Sequence, residues 1–222
     1  MYRFLRDNGL SLVLIGLFLA LWAGQSVIGH RQFNDEQRDH GEALEPYGSY
    51  LRSAHFWEAT AENWESEFLQ MFGYVFLTTM LFQRGSAESK DPNKIETVDR
   101  DPRKGRPGPD APWPVRKGGL VLTLYEYSLT LTLLLLFLIS IAAHAIAGSS
   151  AYNQEQLAHG EAAGLSTLQY VGTSQFWFES LQNWQSEFLA IGAMVVLSIF
   201  LRQRGSPESK PVDSPHSETG GG

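Results

Sequence analysis

The sequence predicts an all-α membrane protein with four transmembrane helices, built as two tandem parallel helix-hairpin repeats with short amphipathic helices in the outward loops. Three observations predict it. Long runs at 9–29 and 127–148 contain no Asp, Glu, Lys or Arg. Three polar blocks occur twice: NDEQRDHGEA (34–43) returns as NQEQLAHGEA (153–162), NWESEFL (63–69) as NWQSEFL (183–189), and QRGSAESK (83–90) as QRGSPESK (203–210). Lysine and arginine concentrate in alternate segments of the chain.

The first helix of each unit follows from length. A helix rises about 1.5 Å per residue, so about 20 apolar residues cross a hydrocarbon core of about 30 Å. The run 9–29 follows MYRFLRDN, which has the basic start of a secretory signal. It aligns, however, with 128–148, a mid-chain segment that cannot be a signal. We therefore expect a retained signal-anchor helix. Residues 5–43 match 124–162 at a shift of 119, and 50–90 match 170–210 at a shift of 120. A fixed-period match of this kind marks a duplicated structural unit.

The second helix of each unit starts polar and becomes apolar. Phe56, Thr60, Trp64 and Phe68 recur at i+4 steps, and Phe176, Ser180, Trp184 and Phe188 repeat them. Such a stripe suits a helix entering an interface. The apolar continuations, 68–82 and 188–201, fall short of the usual span of about 20 residues. Trp64 and Trp184 are expected at headgroup depth, with Arg84, Arg202 and Arg204 snorkelling at the far end.

Orientation follows from charge. Segments 1–8, 83–117 and 202–222 hold 14 of the 17 basic residues, whereas 30–66 holds three and 149–187 none. The positive-inside bias then puts both termini and the middle linker in the cytoplasm. The domain organisation expected is a two-span repeat over 1–90, a disordered linker over 91–117, a second repeat over 118–210 and a disordered tail over 211–222. Linker and tail are rich in Pro and mixed charge, a composition that buries no core.

Composition removes several function classes. The chain has no cysteine, which excludes disulfides, thiolate catalysis and Cys-ligated metal sites. It shows no phosphate-cradling glycine loop, nucleophile elbow or HExxH pair, so no enzymatic constellation emerges. Its basic residues do not interleave with aromatics as nucleic-acid binding requires. The partner expected is the lipid bilayer, with a protein partner or homo-oligomer left open.

Two repeated polar sets are candidate sites. In NxEQxxHGE, Glu36 and His40 are i,i+4 neighbours, as are Glu155 and His159, and Glu42 and Glu161 follow the glycines. Imidazole and carboxylate donors suit Zn²⁺, Mn²⁺ or iron, so a divalent metal held by Glu36, His40, Glu155 and His159 is one reading. Capping is the other: Asn34 and Asn153 as N-caps, Gln37 and Gln156 completing capping boxes, Gly41 and Gly160 as C′ residues, and His40 and His159 on the helix C-terminal dipole. In NWxSEF, a polar vestibule for cations would draw on Asn63, Ser66, Glu67, Asn183, Ser186 and Glu187. The alternative is that Asn and Ser hydrogen-bond between helices while each Glu sits in the wet headgroup zone. His144 lies inside an apolar run where the first copy has Gln25, and the spans offer no chain of titratable groups for a proton relay.

RFLRDNGLSLVL, GHRQFNDEQRDHGE, FWEATAENWESEFLQM and LFQRGSAESKDP resemble a family of uncharacterised bacterial integral membrane proteins. The resemblance covers the chain except the linker interior and tail. It implies a bacterial plasma membrane location and transfers no functional residue. The function expected is a non-enzymatic membrane component whose acidic extracytoplasmic cap binds a partner, lipid or cation. The alternatives are a metal site at the Glu/His pairs and a small cation or solute pathway between the repeats.

Overall fold

A computed structural model describes residues 2–105, 108–160 and 164–220, and among them the chain is helical with no strand. In chain order the helices are α1 (Tyr2–Asp7), α2 (Gly9–Asp39), α3 (Tyr47–Tyr50), α4 (Ala54–Met80), α5 (Trp113–Lys117), α6 (Gly119–Glu126), α7 (Ser128–Ala158), α8 (Thr167–Val171) and α9 (Ser174–Phe200). Two 3₁₀ turns, Thr97–Asp99 and Pro102–Lys104, lie between α4 and α5.

The long helices begin and end where local chemistry changes. α1 and α2 part at Asn8, whose Nδ2 donates to the Phe4 carbonyl at 2.9 Å and competes with the helical ladder. From there α2 runs unbroken to Asp39, and α7 runs to Ala158, because neither Pro nor a left-handed glycine interrupts them until Gly41 and Gly160. Asn34 and Asn153 therefore sit inside helices, which corrects the capping-box expectation for them and for Gln37 and Gln156. The residues in that role stand at the start of the following helices. Ser53 Oγ accepts from the Phe56 amide at 3.2 Å, and Thr173 Oγ1 accepts from the Phe176 amide at 3.3 Å.

Among the described residues three helices, α2, α7 and α9, are long and apolar enough to cross a membrane. Helix α4 has the same 27-residue length as α9 but is not among them. Glu58, Glu62, Glu65 and Glu67 occupy its first half and leave an apolar stretch only from Phe68 onward. Along α2 the side chains Leu10, Val13, Leu14, Ile15, Leu17 and Leu21 are all exposed, Leu10 by 76% and Leu21 by 72%. An apolar face of that extent is unfavourable in water, and it is consistent with a membrane protein.

The chain forms two compact units, each drawing on both halves of the sequence. The first comprises Met1–Thr60 and Ala143–Tyr170, the second Ala61–Ala142 and Val171–Gly222. In the first unit, Tyr50, Phe56 and Tyr170 are the large buried apolar side chains. The Trp22 indole donates to Thr60 Oγ1 at 3.4 Å and its ring lies 6.1 Å from Phe56. Phe56 and Thr60, expected on an interfacial stripe, are thus packed against protein. In the second unit Phe176 and Ser180 are likewise buried, while Phe188 is exposed.

Candidate functional site

In the first unit, two tyrosines lie against two helical glycines. Tyr50 packs its phenol on Gly29 of α2, leaving no room for a β-carbon there. Tyr170 packs on Gly148 of α7, where a β-carbon would lie 2.6 Å from the ring and 2.7 Å from the hydroxyl. Burial pushes the Tyr50 phenol above its usual range, and the Glu36 charge adds to the shift.

Asn34 and Asn153, each inside its helix, hold the loop that follows. Asn34 Oδ1 accepts from the Glu45 amide at 2.8 Å, and its Nδ2 lies 3.0 Å from the Glu45 carbonyl. Asn153 Oδ1 accepts from the amides of Gly164 and Leu165, both at 2.9 Å, and its Nδ2 donates to the Leu165 carbonyl at 2.9 Å. One side chain thereby satisfies loop backbone groups that a turn of helix would otherwise satisfy.

The histidine–glycine pairs end the helices as expected. Gly41 has φ 72°, its amide donates to the Arg38 carbonyl at 3.0 Å, and the Glu42 amide donates to the Gln37 carbonyl at 2.8 Å. Those two bonds are the 5→2 and 6→1 contacts of a Schellman motif. Gly160 has φ 71° and its amide donates to Leu157 at 3.0 Å. His40 Nδ1 lies 2.9 Å from the Glu36 carbonyl. The structure brings the His40 and His159 rings together, edge to face, with centroids 5.6 Å apart. Both rings are exposed, as are Glu36 and Glu155. Glu36 accepts from Gln32 Nε2 at 3.1 Å. Among the described residues, the four expected ligands do not form one group with all donor atoms within 4.8 Å. Glu161 lies outside the described residues.

A second polar cluster in the same unit has no expectation behind it. His144 is fully buried in α7, and Tyr170 is fully buried in α8. A carboxylate oxygen of Glu58 lies within 4.8 Å of a ring nitrogen of His144. Glu58 Oε1 also accepts from the Tyr170 hydroxyl at 3.4 Å. His144 alone carried a sequence signal, as a titratable group in an apolar run.

In the second unit, the vestibule residues are distributed unevenly. Ser66 is buried and bonds back to the Asn63 carbonyl at 2.9 Å, and Ser186 repeats this toward Asn183 at 2.8 Å. Glu67 is exposed and Glu187 half-buried. Of the set, Asn183 and the Glu187 carbonyl take part in cross-helix bonds, and neighbouring residues supply their partners and a further bond. Asn183 donates to Glu62 Oε1 at 2.6 Å, the Trp184 indole to Glu65 Oε1 at 2.8 Å, and Gln70 Nε2 to the Glu187 carbonyl at 3.0 Å. Glu65, with no solvent exposure, is the acidic group drawn inside. Its matching residue in the second copy is Gln185, so the repeat gave no hint of it.

The QRGSxESK blocks form matching turns at the ends of α4 and α9. Gly85 (φ 87°) and Gly205 (φ 85°) take the left-handed conformation. The Gln83 amide donates to Ser89 Oγ at 3.0 Å, and the Gln203 amide to Ser209 Oγ at 2.9 Å. Ser86 Oγ and Ser206 Oγ accept from the Glu88 and Glu208 amides at 3.1 and 3.2 Å. The two lysines then diverge. Lys90 pairs with Asp99 at 2.5 Å, whereas Lys210 is 2% exposed. The Lys210 ammonium donates to the carbonyls of Gly85, Pro215, His216 and Glu218 at 2.5, 3.3, 3.1 and 2.8 Å. Burial holds its pKa below the usual lysine value, with Arg202 pushing the same way.

A family model described as a domain of unknown function (DUF6766) matches residues 1–221. No curated protein and no solved structure matches the chain.

Proposed function

We propose that this chain, which belongs to the DUF6766 family, is a non-enzymatic, four-span component of the bacterial plasma membrane with an acidic extracytoplasmic face that binds a partner, lipid or cation. The observation that carries the membrane reading is the exposed apolar surface along α2, α7 and α9. In this reading α4 is the remaining span, made short by its acidic first half, and both termini face the cytoplasm with the basic linker. Matching contacts support an internal duplication. Gly29–Tyr50 corresponds to Gly148–Tyr170, the Asn34 clamp to that of Asn153, the Ser53 cap to Thr173, and the Gly85 turn to that of Gly205.

Membranes washed at alkaline pH test this directly. The intact chain should stay with the lipid pellet, and its release into the wash would contradict integration into the bilayer.

A second reading rests on one specific distance. The 5.6 Å between the His40 and His159 rings favours a divalent metal held at the exposed histidine pair, with Glu36 and Glu155 nearby in sequence. Equal metal content in the wild type and the His40→Ala/His159→Ala variant would remove it.

A further inference from the structure

We infer that the segment 100–117 is a docking surface for anionic phospholipid headgroups, of the phosphatidylglycerol kind, on the cytoplasmic leaflet. The inference rests on the membrane reading above and adds to it a second surface and a ligand class. The segment carries six basic residues against two acidic ones, in a chain of net charge -7. A basic cluster of that size beside a membrane-crossing helix is drawn to anionic lipid, and each cation near the surface strengthens the attraction.

Contacts fix the depth of the segment. Arg103 donates to both carboxylate oxygens of Glu126, at 2.5 and 2.7 Å, and to Thr123 Oγ1 at 3.2 Å. Glu126 closes α6, and the uncharged run 127–148 follows it. The turn Pro102–Lys104 is therefore fastened where the chain enters the apolar helix α7, which is headgroup level for a spanning helix. The first copy meets the same need locally: Asp7 matches Glu126 and accepts from Arg6 at 2.9 Å. Tyr125 stands in place of that arginine in the second copy, so Glu126 takes its partner from the linker.

With Arg103 engaged, other cations are left to face lipid. Arg100, Lys104, Arg116 and Lys117 are exposed, and none of them makes an ion pair among the described residues. Lys117 lies 4.8 Å from the centroid of the Trp113 ring. Trp113 is 57% exposed on α5, and Leu120, just beyond it, is 83% exposed. An indole beside cations suits the interface, where its ring meets the apolar boundary and its N–H the headgroups. Exposed cations alone would suit any polyanion; apolar side chains exposed among them favour a lipid surface.

The test uses the full chain in nanodiscs, with an environment-sensitive fluorophore on Ala111→Cys, a unique thiol in a chain without native cysteine. Discs of phosphatidylcholine alone are compared with discs that contain phosphatidylglycerol. Emission should move to shorter wavelength in phosphatidylglycerol, and about 1 M salt, which cuts the screening length to about 3 Å, should reverse the shift. Arg116→Gln/Lys117→Gln should weaken docking by about 25-fold, at about fivefold per charge, and lose most of the shift. Arg100→Gln/Lys104→Gln should do the same. Identical emission in the two discs, or a shift that neither double substitution reduces, would overturn the inference. Should one double variant fail to fold by size exclusion, the other decides. A chain that does not enter discs would overturn the membrane reading and the inference with it, whereas entry without a lipid-dependent shift overturns the inference alone.

Discussion

Tyr170 lies against Gly148 so closely that a methyl group on the glycine would sit 2.6 Å from the tyrosine ring. Tyr50 stands in the same relation to Gly29, but there the nearest atom is its hydroxyl. The difference separates two variants. Gly→Ala inside an ordinary helix gains up to about 1 kcal/mol of propensity. Here overpacking outweighs it, and Gly29→Ala and Gly148→Ala should each destabilise by about 1–3 kcal/mol in detergent unfolding. Adding Tyr50→Phe should recover most of the Gly29→Ala loss, whereas Tyr170→Phe should recover less at Gly148. Gly24→Ala, with nothing within 4 Å, is the control and should be neutral or stabilising.

Asn34 and Asn153 close their loops through both ends of one amide group. Alanine at either position leaves half-buried backbone groups without that partner, at a cost of about 1–3 kcal/mol. Hydrogen exchange should localise the effect. The Glu45 amide should exchange faster in Asn34→Ala, and the Gly164 and Leu165 amides faster in Asn153→Ala. Aspartate keeps the acceptor and loses the donor, so Asn153→Asp should fall between alanine and wild type.

Lys210 ties the segment 215–218 to the turn at Gly85. Lys210→Met should leave α9 intact while speeding proteolysis and amide exchange at Gly220, whose amide donates to the Ser86 carbonyl at 3.0 Å. A pH dependence follows from the lowered pKa. Between the folded value and the ordinary lysine value, the unfolded chain binds more protons than the folded one. Stability from this group therefore rises with pH through that window and is lowest below it. The rise should be absent in Lys210→Met when unfolding is measured across alkaline pH.

The helical architecture was legible because its signals are local. Uncharged runs marked α2 and α7, and His-Gly marked both helix ends, since a left-handed C′ residue has a strong sequence preference. The role of Asn34 was not legible. Asn34 with Gln37 three residues on reads as a capping box, but here the preceding helix simply continues, and the side chain serves a loop eleven residues onward. Glu58 and Glu65 were missed for another reason. The repeat drew attention to residues present in both copies, and these carboxylates face Phe178 and Gln185 in the alignment. Lys210 was visible as a repeated residue, but its burial depends on the distant turn at Gly85 together with tail carbonyls that the first copy does not match.

In the proposed topology α4 crosses the bilayer although its apolar stretch is short, so that linker and tail share one side and the two loops the other. The chain has no native cysteine, which makes single-cysteine labelling clean. Ala43→Cys and Ser166→Cys test the loops, and Asn93→Cys and Val212→Cys test the linker and tail. In intact cells an impermeant maleimide should label positions 43 and 166 and spare 93 and 212 until the membrane is opened. Labelling of position 93 from outside, together with position 43, would mean that α4 does not cross and would contradict the account.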